Sequence, residues 1–123
     1  MKFDRLKCGS AVILSEDGVT ASGQAQDDGS RTVLSQHPIP RKGIFKFSMK
    51  VVFRGRGLRI GVCKPDMKLG QSLGNNDASW ALSDCGKVRH NKSWKDYFLE
   101  LKTDVVTCSV NRKLGTISYS ING

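Results

Sequence analysis

Few side chains in this sequence could act as a nucleophile, a general base or a metal ligand. The two histidines are His37, in a turn-like segment, and His90, at the end of a predicted strand, and both are expected to be surface or turn residues. The cysteines lack the CxxC or CxxH spacing of a zinc site, and those inside apolar patterns are expected to be core residues. We therefore predict no metal and no cofactor. The four cysteines are Cys8, Cys63, Cys85 and Cys108, of which Cys63 and Cys108 lie in apolar patterns.

A catalytic thiol would need a histidine partner, and spacing alone leaves a Cys85/His90 dyad open. No oxyanion-hole motif, GxSxG elbow or third orienting group accompanies this pair. Asp27-Asp28 lacks the further oxygen ligands of a calcium site, and it is interpreted, like Asp17-Gly18, as a turn. We predict that the protein is not an enzyme.

The two tryptophans have different surroundings in the sequence. Trp80 lies in a short apolar stretch and is expected in the core. Trp94 lies in a polar segment, Asn91 to Asp96, that is predicted to be a loop. An exposed loop tryptophan could anchor a protein partner, since buried aromatic rings dominate the energetics of interfaces. The open alternative is that Trp94 folds back over the end of the domain.

The net charge is the strongest feature of the composition. The 123 residues include 20 Lys and Arg against 11 Asp and Glu, a formal charge of +9. Such a charge attracts nucleic acids and acidic proteins, but the basic residues come in small groups between turns, as on a solvated surface. The apolar stretches are too short to cross a membrane, and no signal peptide is recognised. We expect a cytoplasmic or nuclear protein with reduced thiols and no membrane contact.

Alternating apolar and polar residues predict strands throughout the chain. The clearest pattern runs from Ile44 to Phe53. A hairpin is predicted where Val106, Cys108 and Val110 precede a turn at Asn111 to Gly115 and then Ile117, Tyr119 and Ile121. No helical stripe is found, so the fold class is predicted to be an all-β antiparallel sandwich forming one domain. Shorter strands are predicted at Ala11 to Leu14, Val19 to Ser22, Thr32 to Ser35, Leu58 to Cys63, Ser79 to Leu82 and Lys87 to His90.

An ordered set of motifs resembles the SPRY domain, a β-sandwich family with a concanavalin-like jelly roll. The branch that recruits substrates to ubiquitin ligases is the most similar. Neuralized-type repeats share an early Leu-Ser-x-Asp stretch and a late Tyr-Ser-Ile-Asn segment, and stay open as a second relative. The motifs are the Gly-Val strand Leu58 to Cys63, the Gly-Asn-Asn and Ser-Trp segment Leu73 to Trp80, the turn Gly86 to Asn91 and the ending Gly115 to Gly123.

The resemblance implies a non-catalytic module that binds a peptide or a folded protein through loops between strands. The recruiting branch carries a Pro-x-Ala-Gln-type segment in its first loop, of which this chain keeps Ala25 and Gln26. A basic rim would speed the encounter with an acidic partner. The predicted partner-binding residues are Gln24, Ala25, Gln26, Asp27, Lys68, Gln71 and Trp94.

SPRY domains continue beyond the Asn-Gly turn that closes this sequence. We therefore expect residues 1–123 to be a single SPRY-like domain that is C-terminally incomplete and lacks its last strands. A strand from another chain would be one way to complete the sheet, and the oligomeric state stays open. The expected role is a substrate-recruiting or scaffold module. The alternative is a small basic structural protein that binds RNA or another anionic polymer, which steep salt dependence would reveal.

Overall fold

The computed structural model describes residues 1–23, 31–52, 57–97 and 105–122. These residues form eleven strands and no helix. They fall into two compact units, one built from residues 1–38 and 64–72 and the other from residues 39–63 and 73–123. The strands are β1 (Phe3–Cys8), β2 (Val12–Leu14), β3 (Ala21–Gly23), β4 (Val33–Ser35), β5 (Ile44–Lys50), β6 (Arg59–Cys63), β7 (Ser79–Ser83), β8 (Lys87–His90), β9 (Ser93–Asp96), β10 (Val105–Asn111) and β11 (Thr116–Ile121).

The first unit contains two antiparallel pairs, β1 with β4 and β2 with β3. The predicted turn at Asp17-Gly18 connects β2 to β3, and Gly18 has a φ of 75° that favours glycine. The Asp17 carboxylate accepts hydrogen bonds from Ser15 Oγ (2.6 Å) and from the Val19 N–H (3.3 Å). Both hydrogen bonds lower the pKa of Asp17, and the one from Ser15 has the larger effect.

The second unit begins with a three-stranded antiparallel sheet in the order β11-β10-β5. Cys108 stands opposite Phe47 on one side and Tyr119 on the other, so these three side chains share the inner face. On the outer face, Ser48 Oγ and Thr107 Oγ1 lie 2.8 Å apart. The alternation predicted for β5 and for the β10–β11 hairpin is confirmed.

The other sheet of this unit has the order β6-β7-β8-β9 and packs against the first through one apolar core. Cys108 is fully buried there, as predicted. Cys63 and Trp80 are only half-buried, and their prediction as core residues was wrong. Two antiparallel sheets enclosing a core confirm the all-β sandwich. The buried cluster comprises Val51, Ile60, Leu82, Val106, Cys108, Val110 and Tyr119.

Two strands, β1 and β9, were not predicted. Leu6 in β1 is exposed, and all four residues of β9 are exposed, so neither strand shows the one-sided burial on which alternation depends. No segment of the described chain forms a helix with the length and apolarity that crossing a membrane requires.

Candidate functional site

A tight hairpin of β8 and β9 positions the exposed tryptophan. Asn91 and Lys92 connect the strands, and both have positive φ values, 50° and 67°, as a two-residue type I′ turn requires. Their backbone N–H groups donate to the carbonyl oxygens of Asn76 (3.0 Å) and Gly74 (3.1 Å), respectively. A polar loop was predicted for Asn91 to Asp96. That prediction was wrong after Lys92, because Ser93–Asp96 forms β9.

Trp94 lies on β9, the edge strand of the described four-stranded sheet, and its side chain is 54% exposed. The Lys87 ammonium on β8 lies 3.8 Å from the centre of the Trp94 ring. A cation at this distance from an indole is attracted to its negative face. The lysine covers one face of the ring, while about half of the side chain stays open to solvent.

Trp80 and His90 form a second aromatic pair on the same sheet. They stand directly opposite each other on β7 and β8, and their rings stack with centroids 4.5 Å apart and planes inclined by 2°. His90 Nδ1 lies 2.9 Å from the carbonyl oxygen of Ser79, which can only accept, so Nδ1 carries the proton. His90 is half-buried at the end of β8, where the predicted strand also ends, and it packs on Trp80 directly before the turn.

Tyr97 connects the end of β9 to the opposite sheet. Its hydroxyl contacts the backbone of Tyr119 on β11. The two rings also meet edge to face, with centroids 5.7 Å apart and planes at 87°, a favourable geometry for aromatic pairs. This contact fixes the spacing of the two sheets at one end of the core.

These aromatic side chains line a groove of about 890 Å³ within the second unit. Both sheets contribute to it, and its volume lies within the range of binding sites in proteins. The groove therefore offers a partner a largely apolar lining that is rich in aromatic side chains. The lining includes the aliphatic side chains of Val62, Val88, Val110 and Ile117 and the aromatic side chains of Trp80, Trp94, Tyr97 and Tyr119.

The charged part of the lining is mostly positive. Arg89, Lys95 and Arg112 line the groove, against the single carboxylate of Asp96. Arg89 Nε is buried and has no hydrogen-bond partner in the described part of the chain. Burial of Arg59 lowers its pKa, and repulsion from Arg89 makes a smaller contribution in the same direction. The groove thus favours a neutral or acidic segment over a basic one.

The sequence left open that Cys85 and His90 could act as a catalytic pair, and the structure places them with other partners. Cys85 Sγ lies 3.1 Å from Ser83 Oγ, and this hydrogen bond, with smaller contributions from Arg89 and Lys87, lowers the pKa of the exposed thiol. His90 pairs instead with Ser79 and Trp80, so a Cys85/His90 dyad is not formed. Within the described ranges, no three His, Cys, Asp or Glu side chains group as metal ligands.

The predicted partner-binding residues lie in different parts of the chain. Gln24, Ala25, Gln26 and Asp27 lie outside the described residues. Lys68 and Gln71 are exposed in the first unit, where the Gln71 N–H donates to the Lys68 carbonyl oxygen at 3.1 Å. Trp94 lines the groove of the second unit. Binding by any of these residues stays a prediction.

The predicted partner-binding residues did not include Lys87, His90, Tyr97 or Tyr119. Alternation did place Tyr119 on the inner face of the hairpin. The other contacts join residues on neighbouring or opposite strands, so they depend on the pairing register rather than on local sequence. Aromatic residues near the ends of predicted strands were the available signal.

Comparison with known proteins agrees with this architecture. Residues 44–123, more than half of the chain, match the SPRY domain family. A solved structure described as "Stonustoxin structure" is similar with a TM-score of 0.75 and 17% identity. The similarity covers 99% of this chain and 21% of that one, so this chain spans about a fifth of its length. No curated protein matches.

An antiparallel β-sandwich that carries an open, aromatic-lined groove defines a class of binding domain. The chain belongs to the SPRY domain family. SPRY domains are in general protein-interaction modules, and they are typically non-catalytic.

Proposed function

We propose that this SPRY domain binds an extended segment of a protein partner in the groove of the second unit, with Trp94 as an anchor. The observation that carries the proposal is the combination of an apolar groove of about 890 Å³ with the exposed edge strand β9 along its wall. An extended peptide can bond to a strand edge through its backbone while alternate side chains enter pockets.

Trp94 is suited to an anchoring role because its ring is already oriented. The Lys87 ammonium at 3.8 Å restrains one ring face, so less conformational freedom is lost when a partner buries the ring. Interface energetics concentrate in a few aromatic and arginine side chains. The remaining lining would supply shape complementarity rather than most of the affinity.

Within this class, we propose recruitment of a substrate to a ubiquitin ligase, or a scaffold role, in the cytoplasm or nucleus. The support is the motif resemblance to the recruiting branch. Completion of a sheet by a strand from another chain belongs to the same proposal, and β9 is the edge that such a strand would use.

RNA binding is the second candidate, supported by the net charge of +9. Single-stranded RNA binds on free aromatic faces beside a basic track. In this groove, one face of Trp80 is taken by His90 and one face of Trp94 by Lys87. A peptide on the edge of β9 bonds through its backbone and needs only the open face of Trp94, and we favour the peptide for this reason.

The test begins with peptides selected on the immobilised domain from a random displayed library. Calorimetry then measures their affinity for the wild type, for Trp94→Ala and for Leu114→Ala. Leu114 is the matched control because it is an exposed apolar residue outside the groove lining. We expect Trp94→Ala to weaken binding by about tenfold or more and Leu114→Ala to leave it unchanged. Equal affinity for all three proteins would refute the anchor.

A further inference from the structure

A smaller cavity of about 180 Å³ lies near the groove, at the tip of the β10–β11 hairpin. We call it the cation pocket. Four of its five lining residues carry a positive charge, and none of these four has an ion-pair partner among the described residues. The pocket is lined by Arg41, Lys42, Gly43, Arg112 and Lys113.

The cation pocket is held together by hydrogen bonds between distant parts of the chain. Arg112 Nε donates to the carbonyl oxygen of Pro40 at 3.1 Å, and the Arg112 backbone N–H donates to that of Gly43 at 2.9 Å. These bonds tie the hairpin tip to the segment before β5, which places Arg41 and Lys42 beside Lys113. The cations are therefore gathered before any ligand arrives, which reduces the cost of binding.

Arg112 also lines the groove. A segment that leaves the groove at the hairpin tip would pass from an apolar lining to cations that have no ion-pair partner in the described part of the chain. Guanidinium groups pair with carboxylates through parallel hydrogen bonds. For a protein segment, an acidic end complements this exit.

We propose that the cation pocket binds carboxylate side chains of the partner segment, so that the segment is acidic at the end that leaves the groove beside Arg112. The idea that one segment occupies both the groove and the cation pocket rests on the proposed function. The affinity of the cation pocket for carboxylates does not. The charge then sets the direction in which the segment lies in the groove.

Tetraglutamate is the probe, followed by backbone amide shifts in nuclear magnetic resonance spectra at low salt. We expect the shifts to concentrate at residues 41–43 and 112–113. The double variant Arg41→Ala/Lys42→Ala, and separately Lys113→Ala, should bind more weakly by about 1.5- to fivefold for each cation removed, the scale of exposed charge pairs. The control Lys46→Ala/Lys50→Ala removes two exposed cations of β5 and should bind like the wild type.

Equal weakening by the pocket and control variants, or shifts spread over all surface lysines, would overturn the proposal. Tighter binding of an eight-nucleotide oligouridine than of tetraglutamate at the same residues would overturn it in favour of a nucleic acid. Tetraglutamate does not test the groove, so its failure leaves the Trp94 result standing, and the converse also holds.

Discussion

The hydroxyl of Tyr97 satisfies both backbone groups of Tyr119. It accepts a hydrogen bond from the Tyr119 N–H at 2.8 Å and donates one to the Tyr119 carbonyl oxygen at 3.3 Å. Since β11 is an edge strand of the described three-stranded sheet, these are backbone groups that an added strand would otherwise use. Tyr97 therefore closes one position on this edge, whereas β9 stays exposed.

Removing the Tyr97 hydroxyl should destabilise the fold. Tyr97→Phe leaves the Tyr119 N–H and carbonyl without their partner, so we expect the free energy of unfolding to fall by about 1–3 kcal/mol. Urea unfolding followed by circular dichroism measures the change. Tyr119→Phe is the control, because it keeps the backbone groups that Tyr97 binds, and it should cost less. An equal or larger loss for Tyr119→Phe would contradict this account.

Gly74 is required by both conformation and space. Its φ is 85°, and an added Cβ would lie 2.6 Å from Arg89 Cβ. Gly115 also has a positive φ, 66°, but open space around it. Gly115→Ala should therefore cost about 1–2 kcal/mol from backbone strain alone, and Gly74→Ala about 1–3 kcal/mol more from overpacking. Thermal unfolding of the two variants provides the comparison, and equal losses would argue against the steric part.

The thiols should differ strongly in reactivity. The Ser83 hydrogen bond, helped by Arg89 and Lys87, lowers the pKa of the exposed Cys85, whereas burial raises the pKa of Cys108 to about 12. Because the thiolate is the reactive form, iodoacetamide near neutral pH should label Cys85 first and spare Cys108 in the folded protein. Mass spectrometry of peptides after timed labelling measures both rates. Comparable rates in the folded protein, with Cys108 labelled no faster after denaturation, would contradict the prediction.

Stability should decline at alkaline pH through Cys108. Its folded pKa of about 12 lies above the value of about 8.5 for a thiol in an unfolded chain. Between these values the unfolded chain has released a proton that the folded chain keeps. The free energy of unfolding should therefore fall as pH rises, by up to about 1.4 kcal/mol per pH unit.

Urea unfolding at a series of pH values above neutrality measures this slope. Cys108→Ala should start from a lower stability, because a buried side chain is shortened, but its stability should fall less steeply. Burial also raises the pKa of Tyr119, which adds a decline of the same sign at higher pH in both proteins. Identical slopes for the wild type and Cys108→Ala would contradict the assignment.

The contrast between β10 and β9 shows what sequence could predict. β10 alternates buried and half-buried residues from Val106 onward, so periodicity identified its inner face. β9 has no buried side, and it forms because the Asn91-Lys92 turn returns the chain along β8. Its tryptophan was recognised as a candidate anchor from polarity alone. The lysine that restrains it could be assigned only after the strands were paired.

The same limit applies to the cation pocket. Arg112 and Pro40 are 72 residues apart, and neither the Arg41-Lys42 group nor the Arg112-Lys113 group has a local signal that it meets the other. The sequence showed both basic groups, and both were expected on a solvated surface. Only the hydrogen bonds of the hairpin tip bring them to one cavity.

The position of the tryptophans has a practical consequence. Trp80 and Trp94 are the two tryptophans of the whole chain, and both line the groove. Intrinsic indole fluorescence of this protein therefore arises entirely from the walls of that groove. Its emission reports directly, without a label, whether the groove is occupied, and a ligand confined to the hairpin tip leaves it unchanged.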